Sequence, residues 1–343
     1  MRRVLDRSQI TWRRLVLISA GMVVFAVCIG AWATSGSFDA SLTTLSTADP
    51  HRAAWAAAAF AASLLASACA WRISFAAVGA PMRRGQACAS YSMGSLVNTF
   101  APATLGEGIR AVLFGRSLPE CGNRACTAAG AAGAVAVAKA LPHTLLLSAA
   151  VLVAGFPPWL LLAPASLPVI AVVAVLFLRR RAGSRLMALG QATATLFREP
   201  GFGMRVVCWV TVATAARVAA ATAVAASLGI GNPLDAGLLV AAALILAGAL
   251  PITPGSIGMT SGAVSLALAQ HGIPMPTALA AGVLFHALES AVGVSVGLIA
   301  APFVVRPGII PRRVGHVAFV GAAAMTAAML GASLLTYLPL SGV

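Results

Sequence analysis

A chain of 343 residues in which 60% are hydrophobic and only 9% are charged is excluded from the water-soluble globular class, where charged residues make up about 25%. Its mean hydropathy is +0.94, and several apolar runs reach the ~20 residues that a spanning helix needs, so the expected fold class is all-α, a polytopic membrane protein. The formal charge of +15 is dispersed in short arginine blocks between those runs. That is the layout of cytoplasmic loops and of contact with anionic headgroups; no aromatic-interleaved basic domain is present to hold nucleic acid.

In chain order, Arg2, Arg3, Arg7, Arg13 and Arg14 put the N-terminus in the cytoplasm. The apolar run after them is longer than the roughly 7–15 residues of a signal peptide and reads as a retained helix. Spans are expected at about 15–34, 53–72, 125–155, 159–178, 205–229, 276–301 and 316–338, about seven in all. The first leaves SGSFDASLTTLSTADPH outside as a hydroxyl-rich loop; the second returns to Arg72, Arg83 and Arg84. Gln86–Phe100 has basic flanks on both sides, with Arg110, Arg116 and Arg124 downstream. At about 15 residues it makes roughly 22 Å of helix, too little for a ~30 Å hydrocarbon core, so re-entry is expected. The next two spans go out, turn at FPPW and return to RRRAGSR. The amphipathic stretch Leu186–Phe197, within a cytoplasmic segment at about 179–200, is expected to lie along the membrane surface.

The span at 205–229 exits to GIGNPLD, and the last two must place VVRPGIIPRR inside and the C-terminus outside. Parity then requires Ala236–His271 to enter and leave on the outer side, turning at LPITPGSIGMTSG, Leu250–Gly262. Non-helical backbone at membrane depth survives only where protein or a water-filled cavity covers it. The two breaks share P-x-T-x-G, as Pro102, Thr104, Gly106 and Pro251, Thr253, Gly255. One hairpin entered from each side makes an inverted repeat, the arrangement that marks substrate sites in secondary transporters. Its halves are about 53–155 and 205–301 of a single transmembrane domain, 1–343.

A half-helix from Pro254 to Gln270, stopped at Gly272, would turn its N-terminal N–H groups toward an anion. Gly255 and Gly258 would let a ligand approach backbone, with Ser256 between them in the expected binding site, or the glycines merely permit close helix packing. Charged groups at membrane depth are costly and usually functional. The candidates are Lys139 (the one lysine), Arg217, His286, Glu289, Glu107 and Arg110, with His143 one turn from Lys139. Arg110, Lys139 and Arg217 suit a phosphate headgroup; Glu107, Glu289 and the histidines suit proton relay. The plainer readings are a solvated Glu107–Arg110 pair, structural histidines, a neutral Glu289 and an Arg217 that snorkels. Six cysteines without a C-x-x-C spacing suggest no metal site, and no cofactor is expected. Walker A, H-E-x-x-H and G-x-S-x-G patterns are absent.

PITPGSIG at Pro251–Gly258, followed by LFHALES, and NTFAPATLGEGIR at Asn98–Arg110 resemble the transmembrane region of lysylphosphatidylglycerol synthases and the flippase-like membrane family built on it. The resemblance covers roughly residues 10–340. Ser256 stands where that pattern has glycine, Ser261 where it has Glu, His286 where it has Arg, and Ala138–Lys139 where it often has Glu-Arg. The resemblance implies a lipid flippase, not an enzyme, moving an anionic phospholipid or a polyprenyl-phosphate-linked lipid between leaflets of the cell membrane. The alternatives are a membrane-embedded glycosyl- or phosphotransferase using Asp39, Asp49 or His51, and a non-catalytic envelope-biogenesis scaffold. Membrane lipids, anionic or phosphate-bearing, are the expected partners, with a second copy or an envelope-synthesis protein as the open choices for a protein partner.

Overall fold

The computed structural model describes residues 37–100, 103–118, 124–155, 199–248 and 257–304, with isolated positions at 162, 166 and 173. Among the described residues every regular element is a helix: α1 Ser37–Ser46, α2 Pro50–Ala77, α3 Arg84–Phe100, α4 Ala103–Gly115, α5 Arg124–Val153, α6 Pro200–Ser227, α7 Pro233–Gly248, α8 Ile257–Gln270 and α9 Met275–Val304. Four of them, α2, α5, α6 and α9, are long and apolar enough to cross a membrane. They carry the spans expected at 53–72, 125–155, 205–229 and 276–301, so the protein is a multi-pass membrane protein. The spans expected at 15–34, 159–178 and 316–338 lie outside the described residues, apart from three isolated positions. So does the amphipathic segment, apart from its last two residues, which open α6.

After α1, the described helices run long, short, short, long in α2–α5 and the same again in α6–α9. Matching signals in the sequence set the ends of the first long helix of each set. Asp49–Pro50 opens α2 and Glu199–Pro200 opens α6, with proline in the first turn, where its missing N–H costs nothing. Asp49 also caps α2, its Oδ1 accepting from the His51 and Arg52 backbone N–H groups at 2.9 and 3.4 Å. Both helices stop at a glycine in the left-handed region, Gly79 at φ +88° and Gly229 at φ +71°. In each, the next N–H reaches back to the same place: Ala80 to the Phe75 carbonyl at 2.9 Å, and Ile230 to the Ala225 carbonyl at 3.1 Å. This is a glycine-terminated helix end. One expectation changes: the outer hydroxyl-rich loop is in part helix α1. Its hydroxyls bond within the chain, Thr44 donating to the Ala40 carbonyl at 2.8 Å and Ser46 to that of Thr43 at 2.7 Å, and the helix packs on α9.

The broadest interface joins α2 to α6, and the two run antiparallel. The Asp49 N–H donates to the Ser227 carbonyl at 2.9 Å and Arg52 to that of Ala226 at 2.7 Å; farther along, the Ser63 hydroxyl donates to the Ala213 carbonyl at 2.8 Å. Ser63 and Ala213 stand the same number of residues after Pro50 and Pro200, so equivalent positions of the two sets meet there. The short helices form a hairpin in α3 and α4, where Arg110 reaches both Ser95 and the Tyr91 carbonyl. In the second set α7 packs on α8, and α8 on α9 through Ser261 and Gly282.

This arrangement gathers Arg83, Arg84, Arg116, Arg124 and Arg205 near one end of the bundle, where α2 and α4 finish and α3, α5 and α6 begin. Arg124 donates to the carbonyls of Gly115 and Arg116, placing a cation on the C-terminus of α4, where the helix dipole favours it. Large apolar side chains such as Leu145, Leu152, Met204, Leu266 and Ile299 remain exposed on the outside. Such a surface is a liability in water and the ordinary boundary with lipid.

Candidate functional site

Between α2, α3, α5, α6 and α7 lies a cavity of about 550 Å³. Its polar lining comes from stripes at helical spacing: Ser63, Ser67 and Trp71 on α2, Lys139 and His143 on α5, Thr214 and Arg217 on α6. Residues three or four apart share a face, so each helix turns its few polar groups inward and its apolar majority elsewhere. Leu146, Leu244 and Ile245 form the apolar part of the wall. Two hydroxyls are already engaged, Ser63 as described and Thr214 donating to the Val210 carbonyl at 3.0 Å. The cavity adjoins the Ser63–Ala213 crossing, where equivalent positions of the two helix sets touch.

Lys139 stands near the middle of the 30-residue α5, and its side chain makes no hydrogen bond or ion pair with another described residue. Three positions on is Pro142, inside the helix. Lacking an N–H, it leaves the Ala138 carbonyl without its usual helical donor beside Lys139. Arg217 is held differently. Its Nη2 pairs with Glu289 Oε1 of α9 at 2.7 Å, and its guanidinium lies 5.7 Å from the centre of the Phe285 ring.

Arg110 is placed behind the cavity wall, not on it. It is 5% exposed and held from several directions: Nη1 to Glu107 Oε1 at 2.6 Å, Nη2 to Ser95 Oγ at 2.8 Å and Nε to the Tyr91 carbonyl at 3.3 Å. Its guanidinium sits 4.1 Å from the centre of the Tyr91 ring, a cation–π contact, and Tyr91 presents to the cavity. Tyr91 also meets Trp71 edge-on at 6.2 Å, so Arg110 braces an aromatic wall. Gly94 makes room for it: a Cβ there would collide with the Arg110 side chain.

The expected residues are therefore distributed over three places. Lys139 and Arg217 share the cavity, with Glu289 paired to one of them; Glu107 and Arg110 lie behind Tyr91. His286 is half-buried on α9, its Nε2 3.4 Å from Ser290 Oγ and its Nδ1 without a partner among the described residues, and it does not line the cavity. Pro254, Gly255 and Ser256 fall outside the described residues. Gly258 is the second residue of α8, which ends at Gln270 with Gly272 at φ +82°, where the half-helix was expected to stop. Ser63, Ser67, Trp71, Tyr91 and Thr214 were not anticipated. Their signal was the i, i+4 recurrence of polar or amphipathic side chains in alanine-rich helices, at Ser63, Ser67 and Trp71.

No curated protein matches the chain. Residues 16–297 match the family described as the lysylphosphatidylglycerol synthase TM region. With most of its length matched, and an all-helical bundle carrying four candidate spans, the chain belongs to the lysylphosphatidylglycerol synthase TM region family.

Proposed function

We propose that the protein is a lipid flippase or transporter rather than an enzyme, moving an anionic phospholipid or polyprenyl-phosphate-linked lipid between leaflets. Family membership supports a lipid-related role in the membrane. The observation that carries the finer reading is the convergence of Lys139, His143 and Arg217, from the middles of two spanning helices, on one cavity. Lys139 and Arg217 are expensive to bury as cations at that depth, and a phosphate headgroup is the group that would offset the cost. Acyl or prenyl chains would lie against the exposed apolar flanks of the long helices.

In this reading the α3–α4 and α7–α8 pairs are re-entrant hairpins from opposite leaflets, and the helix sets are an inverted repeat. The antiparallel α2 and α6, meeting at equivalent positions, support that geometry. The arginine-rich end is cytoplasmic by the positive-inside rule, which puts the N-terminus inside and the C-terminus outside the cell membrane. Asp49, one of the groups a transferase would need, serves as the cap of α2, and its Oδ2 pairs with Arg52 at 3.2 Å; this favours transport over group transfer.

The test is reconstitution into liposomes with fluorescent phospholipids and prenyl-phosphate sugars, comparing the native chain with Lys139→Ala. The native chain should equilibrate at least one lipid between leaflets, and the variant should lose most of that activity. Equal rates for both proteins would remove the cavity as the transport site.

A further inference from the structure

The charged groups around the cavity are unequally compensated. Arg110 is sealed behind Tyr91 with Glu107 as its counter-ion. Arg217 reaches the cavity with Glu289 at 2.7 Å. Lys139 lines the cavity and has no carboxylate partner among the described residues. Summed over Lys139, Arg217 and Glu289, with His143 taken as neutral, the site carries a formal charge of plus one.

We infer that this balance sets the substrate's charge: the cavity takes a lipid headgroup bearing one negative charge, a phosphodiester with otherwise uncharged polar groups. Lys139 is its counter-ion, and Glu289 is the specificity-determining residue that withholds Arg217. The inference rests on the reading that the cavity holds a lipid headgroup. The physical reason is the cost of an unmatched charge away from bulk water. A neutral headgroup leaves Lys139 without a partner, a zwitterionic one pairs its phosphate with Lys139 but brings an unmatched cation of its own, and a diphosphate leaves a surplus negative charge. An uncompensated charge in such a site is strongly unfavourable, and penalties of that kind are how a site rejects the wrong partner. Glu289 comes from α9, outside the set of helices that line the cavity, so it adjusts the charge of Arg217 without occupying headgroup space. A single-charge phosphodiester occurs both in glycerophospholipids with an uncharged alcohol and in polyprenyl-phosphate sugars, and the chemistry of recognition is shared.

The experiment uses the full chain in liposomes with four labelled probes: phosphatidylglycerol and a polyprenyl-phosphate monosaccharide, each with one charge; phosphatidylcholine, with none net; and a polyprenyl-diphosphate sugar, with more than one. Displacement of labelled phosphatidylglycerol is measured on the same proteins in detergent. The native chain should favour the single-charge probes, and whichever of the two moves identifies the lipid source. Lys139→Gln should weaken binding of the single-charge lipid roughly 10- to 100-fold, the scale of a lost charged hydrogen bond, whereas Lys139→Arg should retain most of it. Glu289→Gln should shift preference toward the diphosphate. Lys139→Gln combined with Glu289→Gln returns the site to plus one and should recover single-charge binding, which a misfolded or merely destabilised protein would not do.

Movement of all probes alike, or a double variant no better than Lys139→Gln alone, overturns the charge rule and leaves transport standing. Charge-dependent binding with no movement in any protein sustains the rule and overturns transport. Absence of both binding and movement overturns the two together.

Discussion

Single side chains in this protein act mostly by filling or relieving tight places between helices. Gly106 is the clearest case. A Cβ there would collide with Asn98 Oδ1 and with the Gly94 carbonyl oxygen across the α3–α4 hairpin, and backbone cannot swing aside as a flexible side chain can. Gly106→Ala should therefore lower stability by about 1–3 kcal/mol, read as a fall in the unfolding midpoint in detergent; an unchanged midpoint would show the hairpin to be looser than described. Arg110 is a second case. Lysine offers one ammonium where the guanidinium reaches Glu107, Ser95 and the Tyr91 carbonyl at once and lies over an aromatic face. Arg110→Lys should cost about 1–3 kcal/mol, with the cavity wall at Tyr91 loosened. Near-native stability would mean that Arg110 braces nothing.

Among the elements, the two sets of helices pack unequally. Gly297 of α9 sits against α3, where an added Cβ would come within 2.9 Å of Leu96 Cβ, beside a buried cluster of Met93, Leu96, Leu113 and Val294. The corresponding stretch of α5 carries Leu146 and Leu147, with Leu147 packed on Leu239 and Ala242 of α7. Glycine lets α9 close on α3, whereas leucines hold α5 off α7, and the cavity occupies the space. Pro142 adds a break in the α5 hydrogen-bond ladder beside that space. Pro142→Ala restores a donor for the Ala138 carbonyl and should stabilise the helix by about 1 kcal/mol or more. If helix bending serves transport, the same change slows lipid movement in liposomes; a faster rate with higher stability would exclude that use of the proline.

For the molecule as a whole, the antiparallel α2 and α6 divide the described ends into two faces. Asp49 and the turn after Gly229 share one, and Arg84 and Glu199 share the other. In a cysteine-free background, Asp49→Cys and Asn232→Cys should react with a membrane-impermeant maleimide from the same side. Arg84→Cys and Glu199→Cys should react only from the opposite side. Labelling of all four from one side would be incompatible with spanning by α2 and α6.

Composition and pattern alone determined that this chain lives in a membrane, that four of its apolar runs are long helices, and where short helices interrupt them. Those features depend on local chemistry: run length against bilayer thickness, Asp-Pro and Glu-Pro at helix starts, glycine at the stops. The candidate charges were also legible, because a lysine or arginine in an apolar run stands out wherever the helix goes. Which of them share a site was not legible. Lys139, Arg217 and Glu289 look alike in the sequence as isolated polar residues, and although the i, i+3 spacing of Glu107 and Arg110 marked them as a pair, it gave Arg110 no buried place. Only packing sent Arg110 behind Tyr91, brought Glu289 across from α9 to Arg217, and left Lys139 facing an open cavity. The reason is that a helix face is set by residue spacing, whereas the neighbour it meets is set by contacts between segments far apart in the chain.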